Sequence, residues 1–115
     1  MQKITDRIAS LPAPGGAVVN HKHSSRRYYV SGMVQGVGYR HFVAWTAERL
    51  EVTGFTRNLR DGRVEVYAIG TAESLAALRA ELERGPRAAR VELVREEEAG
   101  LEPRWAQGFS VEFDD

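Results

Sequence analysis

Apolar and polar positions alternate in two different rhythms along this chain, and the switches between them mark out the elements. From Arg26 onward, Tyr28, Tyr29, Val30 and Val34 read as a first strand ending near Gln35. Phe42, Val43, Thr46, Ala47 and Leu50 then form a wide stripe at helical spacing, predicting a helix from about His41 to Glu51. Gly54 to Leu59 reads as a second strand, Asp61-Gly62 as a tight reversal, and Arg63 to Ile69 as a third strand. Thr71 is a fitting N-cap with Glu73 in the first turn. Leu75, Leu78 and Leu82 give the following helix its inward face, and Gly85-Pro86 ends it. Two more strands are expected, around Val91 to Arg95 and Phe109 to Phe113, the latter with Phe109, Val111 and Phe113 on one face. Between them, Glu96-Glu97-Glu98 reads as a solvated charge run.

The order β-α-β-β-α-β predicts an α+β, ferredoxin-like split βαβ sandwich, with an antiparallel sheet carrying two helices on one face. In that topology the first and second strands run parallel with the third inserted between them. Their carboxyl ends share an edge, so the turn Gln35 to Arg40 should lie near Asn58.

The leader Met1 to Ser25 reads differently. Ile4, Ile8 and Leu11 recur at helical spacing, but Pro12-Ala13-Pro14-Gly15-Gly16 interrupts the pattern and His21 to Ser25 is polar and aperiodic. A helix that short is marginal alone, so residues 1–25 are read as a flexible extension and 26–115 as the domain.

Composition narrows the function classes. The 115 residues suit a single domain, and 16 basic against 16 acidic residues leave no net charge. That balance argues against a broad nucleic-acid or membrane surface. The absence of cysteine excludes disulfides, thiolate catalysis and thiolate zinc sites. No apolar run nears the ~20 residues of a membrane span, and no secretory h-region opens the chain. A cytoplasmic location is the default expectation.

Chemistry concentrates in two stretches. Gly32-Met33-Val34-Gln35-Gly36-Val37-Gly38-Tyr39-Arg40 runs from a strand through a glycine turn into a helix, where unpaired N–H groups and the helix dipole attract anions. Arg40 in the first turn opposes that dipole, a broken local rule that a bound anion would offset. Bland readings stand beside this one. Gly36 and Gly38 also suit a plain tight turn, and Arg40 an ordinary surface arginine. Asn58 is either a turn former before Asp61-Gly62 or a polar group at the strand end whose amide can hold a water molecule. His21, His23 and His41 read as surface histidines rather than a metal site. Arg57, Arg60 and Arg63 read as a solvated hairpin face, with anion steering as the alternative. Trp45 and Trp105 read as packing residues.

Together the two stretches resemble the signatures of the acylphosphatase family, a Gly-x-Val-Gln-Gly-Val-x-Tyr/Phe-Arg loop and a Gly-aromatic-x-x-Asn-x-x-x-Gly-x-Val hairpin (Gly54 to Val64), followed by Gly70. Val37-Gly38-Tyr39 and Gly85-Pro86 also stand where the family has them, and the likeness spans Arg26 to Phe113. Thr56 departs from the usual small apolar residue, which is expected to loosen local packing. The leader has no counterpart in the family core. The resemblance implies that Arg40 and the main-chain amides of Gln35, Gly36, Val37, Gly38, Tyr39 and Arg40 hold the substrate phosphate, while Asn58 orients the attacking water. It implies hydrolysis of an acyl phosphate to a carboxylate and inorganic phosphate, with no cofactor and no metal. Inorganic phosphate is expected as product and inhibitor, and the chain as a monomer. Rival readings are a domain of larger maturation enzymes that handle carbamoyl phosphate, a phosphate-ligand sensor, and an RNA-recognition sheet. The last is disfavoured because Arg63 to Ile69 lacks the basic-glycine-aromatic signature.

Overall fold

One strand with two apolar faces organises the molecule. In the computed structural model, which describes residues 22–115, the strand Val64–Thr71 buries Val64, Val66 and Ala68 in one cluster and Tyr67 and Ile69 in another. In chain order the elements are β1 (His23–Met33), α1 (Tyr39–Arg49), β2 (Thr53–Asn58), β3 (Val64–Thr71), α2 (Ala72–Arg84), β4 (Arg90–Glu98), a 3-10 turn (Pro103–Trp105) and β5 (Phe109–Val111). The strands form a five-stranded sheet in the order β4-β1-β3-β2-β5. β3 is antiparallel to both β1 and β2, so those two point the same way, as the ferredoxin-like topology requires. The sheet departs from a purely antiparallel one at a single rim, where β5 runs parallel to β2.

Both helices cover the face that carries Tyr28, Val30, Val64 and Val66. α1 contributes Tyr39, Val43 and Ala47, and α2 contributes Leu75, Leu78 and Leu82 at the spacing of one helical face. The Thr71 hydroxyl oxygen accepts from the Ser74 N–H at 3.1 Å, the N-cap that the sequence predicts, and a cap of this type contributes about 1 kcal/mol. Gly85, at φ 68°, ends α2 in a conformation that favours glycine. The Tyr39 hydroxyl donates to the Leu82 carbonyl at 2.8 Å, pinning the start of α1 to the end of α2.

The opposite face of the sheet is partly closed by the β4–β5 connection. Trp105 packs on Phe55 with ring centroids 4.6 Å apart, beside Tyr67 and Ile69. The Tyr67 hydroxyl both donates to the Gly100 carbonyl and accepts from the Glu102 N–H, each at 2.8 Å. Trp105 is therefore a packing residue, as expected. Trp45 is not: it is 61% exposed, lies outside the apolar stripe of α1, and among the described residues stacks only with Arg49.

Three boundaries differ from the sequence expectation. β1 begins at His23, ahead of Arg26, because its first residues pair with Thr71, Gly70 and Ile69 of β3. β4 continues through Glu96, Glu97 and Glu98, which pair with Tyr28, Arg27 and Arg26; the run is exposed, as expected, but belongs to the strand rather than to the link after it. The Glu96 carboxylate accepts from Arg79 at 2.7 Å and lies 3.4 Å from Arg26, so cations on α2 and β1 make an acidic strand tolerable there. β5 stops at Val111, and of the three residues expected on one face only Phe109 packs on the core. Val111 is 37% and Phe113 92% exposed, because the chain leaves the short rim strand before a third inward position is reached. The helix expected around Ile4, Ile8 and Leu11, and His21, lie outside the described residues. Among those described, no helix is long and apolar enough to cross a membrane.

Candidate active site

The turn between β1 and α1 is shaped by two glycines. Gly36 and Gly38 have φ of 75° and 79°, and a Cβ placed on either meets no atom within 4 Å. The requirement for glycine is thus dihedral rather than steric, worth roughly 1–2 kcal/mol per residue against other side chains. Val37 and Tyr39 turn inward onto the core, so they offer the turn's outer surface little but main chain. Among the described residues, no N–H from Gln35 to His41 reaches a main-chain acceptor. The first that does is Phe42, bonding to the Gly38 carbonyl at 3.1 Å. A run of unspent donors therefore sits at the positive end of α1, whose first turn holds no acidic residue.

Arg40 stands in that first turn, and its misplaced charge is balanced by the residues that follow β5. Its Nη1 donates to Asp114 Oδ1 at 2.9 Å and to the Glu112 carbonyl at 3.3 Å. The sequence calls for an anion at this cation. The carboxylate that fills the role is itself 62% exposed, so it is loosely invested in the pair.

Asn58 ends β2 on the helix-covered face, opposite Val64. It is 7% exposed, and its side-chain oxygen Oδ1 is buried without a hydrogen-bond partner among the described residues. Leaving such an acceptor unsatisfied costs about 1–3 kcal/mol, so a water hydrogen is a natural complement. Its main-chain carbonyl accepts from the Asp115 N–H at 2.9 Å. Adjacent tail residues thus touch Arg40 and Asn58, and the two sit at the same end of the sheet.

A second bond network joins the turn to the β2–β3 hairpin. Gln35 Nε2 donates to the Leu59 carbonyl at 2.8 Å and to the Arg63 carbonyl at 2.9 Å. Sequence reasoning used Gln35 only as a main-chain donor and missed this side chain. The available signal was a long amide at the mouth of a hairpin, which needs partners once it is half-buried. Within the hairpin, Asp61 accepts from the Arg63 N–H at 3.1 Å and from its guanidinium at 2.9 Å; the first of these contacts is the largest influence holding the Asp61 carboxyl below its ordinary pKa.

Arg57 and Arg63 are not a solvated face. Arg57 donates to the buried Glu65 at 2.7 Å, a hydrogen bond that raises its already high pKa, and Arg27 grips the same carboxylate at 2.5 Å. Arg63 lies 4.7 Å over the Tyr29 ring, and Arg60 is exposed. Thr56 is fully buried with its hydroxyl donating to the Glu65 carbonyl at 2.9 Å, so it does not loosen the packing. His41 is exposed. His23 is half-buried in β1, where burial lowers its pKa.

Residues 26–111 match the family model for acylphosphatase. The chain belongs to the acylphosphatase family. It is 47% identical over 104 residues to an acylphosphatase of Koribacter versatilis, covering 90% of this chain and 94% of the relative. That alignment holds more positions than Arg26 to Asp115 contains, so it takes in part of the leader. The structure resembles an acylphosphatase from Coxiella burnetii with a TM-score of 0.75 and 37% identity, over 80% of this chain and 95% of that one. It also resembles T.kodakarensis HypF, with a TM-score of 0.69 and 27% identity, over 77% of this chain but only 12% of the larger protein. Within this acylphosphatase, both stretches singled out in the sequence lie inside the matched region.

Proposed function

We propose that this acylphosphatase hydrolyses the carboxyl–phosphate bond of small acyl phosphates by direct attack of water, with no metal ion. The substrate phosphate takes the place of the Asp114 carboxylate at Arg40 and accepts from the main-chain N–H groups of Gln35 to Arg40. The guanidinium suits a planar, two-point grip on phosphate oxygens. Asn58 Oδ1 accepts a hydrogen from the attacking water and fixes its approach. The water oxygen bonds to phosphorus while the bond to the acyl oxygen breaks, and the electron pair leaves with the carboxylate. The water proton passes to phosphate oxygen or solvent, giving a carboxylate and inorganic phosphate.

Chemistry explains why so few groups suffice. A carboxylate is a stable leaving group at neutral pH and needs no general acid. The transferred phosphoryl passes through a loose transition state, so alignment and charge stabilisation carry most of the rate. The observation that supports this reading above others is the buried Asn58 oxygen, without a partner among the described residues, at the end of the sheet where, among those residues, the main-chain donors are unspent. The same reading includes a cytoplasmic monomer inhibited by its product phosphate. A domain serving a larger phosphate-handling enzyme is the second reading, favoured by the fold match to a small part of HypF.

An assay of the isolated chain on a synthetic aromatic acyl phosphate separates the two, since a mere accessory domain shows no turnover. Asn58→Ala should lower kcat by at least ~10-fold and leave competitive inhibition by phosphate within a factor of about 2. Parallel loss of both would make Asn58 a phosphate ligand. Exhaustive chelation should leave the rate unchanged, and a loss restored by Mg²⁺ or Zn²⁺ overturns the metal-free step.

A further inference from the structure

We propose that the Gln35 side chain is a positioning residue, one that fixes where the anion cradle stands relative to Asn58. The inference rests on the Asn58 role given above and deepens it. A primary amide nitrogen has two hydrogens. Gln35 spends both on the hairpin, at 2.8 Å to Leu59 and 2.9 Å to Arg63. These carbonyls are already used once within the hairpin, by Gly62 N–H at 3.1 Å and Leu59 N–H at 2.8 Å respectively. The amide therefore takes up second lone pairs at the hairpin mouth and adds nothing that the hairpin needs to close. What it adds is a link between elements: one residue of the turn is tied to the residue that follows Asn58.

The consequence is geometric. Phosphorus would be placed by the turn and the water by Asn58, so the attack distance is the separation between two elements. The β1–β3–β2 ladder fixes Asn58 against Val30, through Val64, but the pairing of β1 with β3 stops there, short of the turn. Among the described residues, no main-chain hydrogen bond outside the regular elements joins Gln35 to His41 with Leu59 to Arg63. A displacement of 1 Å in a reacting pair can cost as much as ~10²-fold in rate. Glutamine is the apt side chain because it reaches across with two donors and brings no charge beside the anion.

Gln35→Met keeps length and removes both donors; Gln35→Glu keeps shape and, when ionised, turns oxygen toward two carbonyl oxygens. For Gln35→Met we expect kcat to fall at least ~10-fold while the inhibition constant of inorganic phosphate moves less than about 3-fold. In an Asn58→Ala background the same substitution should cost less than about 3-fold, because the water it aligned is no longer held. Gln35→Glu should show the larger kcat loss of the two. Unchanged kcat in a folded variant overturns the proposal. So does a loss that multiplies in full with that of Asn58→Ala, which marks a merely structural role, or phosphate inhibition that collapses with kcat, which makes Gln35 part of the cradle alone. Failure of the reaction itself is separable, because then the unsubstituted chain shows no turnover. The unsubstituted chain also gives a check that needs no variant to fold: both Gln35 side-chain hydrogens should exchange with solvent more slowly than those of an exposed glutamine such as Gln107, and equal rates refute the clamp.

Discussion

Two arginine–carboxylate sites in this molecule use the same chemistry to opposite ends. On the sheet face away from the helices, Glu65 is held between Arg27 and Arg57 with its side chain only 5% exposed. At the mouth of the β1–α1 turn, Arg40 is held by Asp114, whose side chain is 62% exposed. The buried carboxylate has nowhere to go, since loss of its partners would leave a charge out of water. The exposed one gives up little on leaving, because water replaces its partner. Identical ion-pair chemistry thus stands as buried architecture in one place and, on the function proposed above, as an exchangeable counter-ion in the other, and burial of the acid is the difference.

Substitutions can break that contrast or sharpen it. The largest effect is expected at Arg40: Arg40→Ala should lower turnover of an acyl phosphate by at least ~10²-fold, with a melting temperature close to that of the unsubstituted chain. A collapse in stability instead would put Arg40 among the structural arginines. Glu65→Ala should do the reverse, costing about 2–3 kcal/mol in denaturant unfolding, a figure reduced from the fully buried case because Arg57 is partly exposed. Activity of the folded fraction should persist. Asp114→Asn should tighten inhibition by inorganic phosphate by about 2- to 5-fold at low salt, with the gain shrinking as salt rises. Weaker inhibition would mean that Asp114 aligns Arg40 rather than competing for it.

The smallest effect concerns Asp61, whose carboxyl is lowered from 3.8 in the folded chain. A carboxyl lowered on folding stabilises above its unfolded pKa and loses that contribution as pH falls through the folded value. The melting-temperature difference between the unsubstituted chain and Asp61→Asn should therefore be flat above about pH 5 and shrink below the ordinary carboxylate range. A difference that grows with acid would reverse the sign.

Much of this was legible in the residues because local signals agreed with the fold. The apolar stripe of α2, its Thr71 cap and its Gly85 stop all identify one helix, and Gly36 and Gly38 mark the tight turn that opens α1. The stripe of α1 also held the answer for Trp45, which falls off it, yet large aromatics are easily credited to the core. What escaped depends on partners distant in sequence. Glu96 reads as part of a link, and its pairs with Arg26 and Arg79 appear only once two other elements are brought to it. Phe113 alternates correctly with Phe109 and Val111, but alternation does not say where a rim strand stops. The Gln35 clamp needs the hairpin carbonyls to be in reach, and the Asp114 pair needs the tail to run along β2. Neither spacing nor propensity encodes those approaches.

The rims of the sheet carry a further consequence. β4 borders one side and bears Glu92, Arg95, Glu96, Glu97 and Glu98 among its nine residues; β5 borders the other and is three residues long. An incoming strand would meet a palisade of charge on the first rim and too short a template on the second. The sheet is thereby guarded against growing into a fibril, even though its middle strand β3, with Val64, Val66, Tyr67 and Ile69, is just the kind that would seed one.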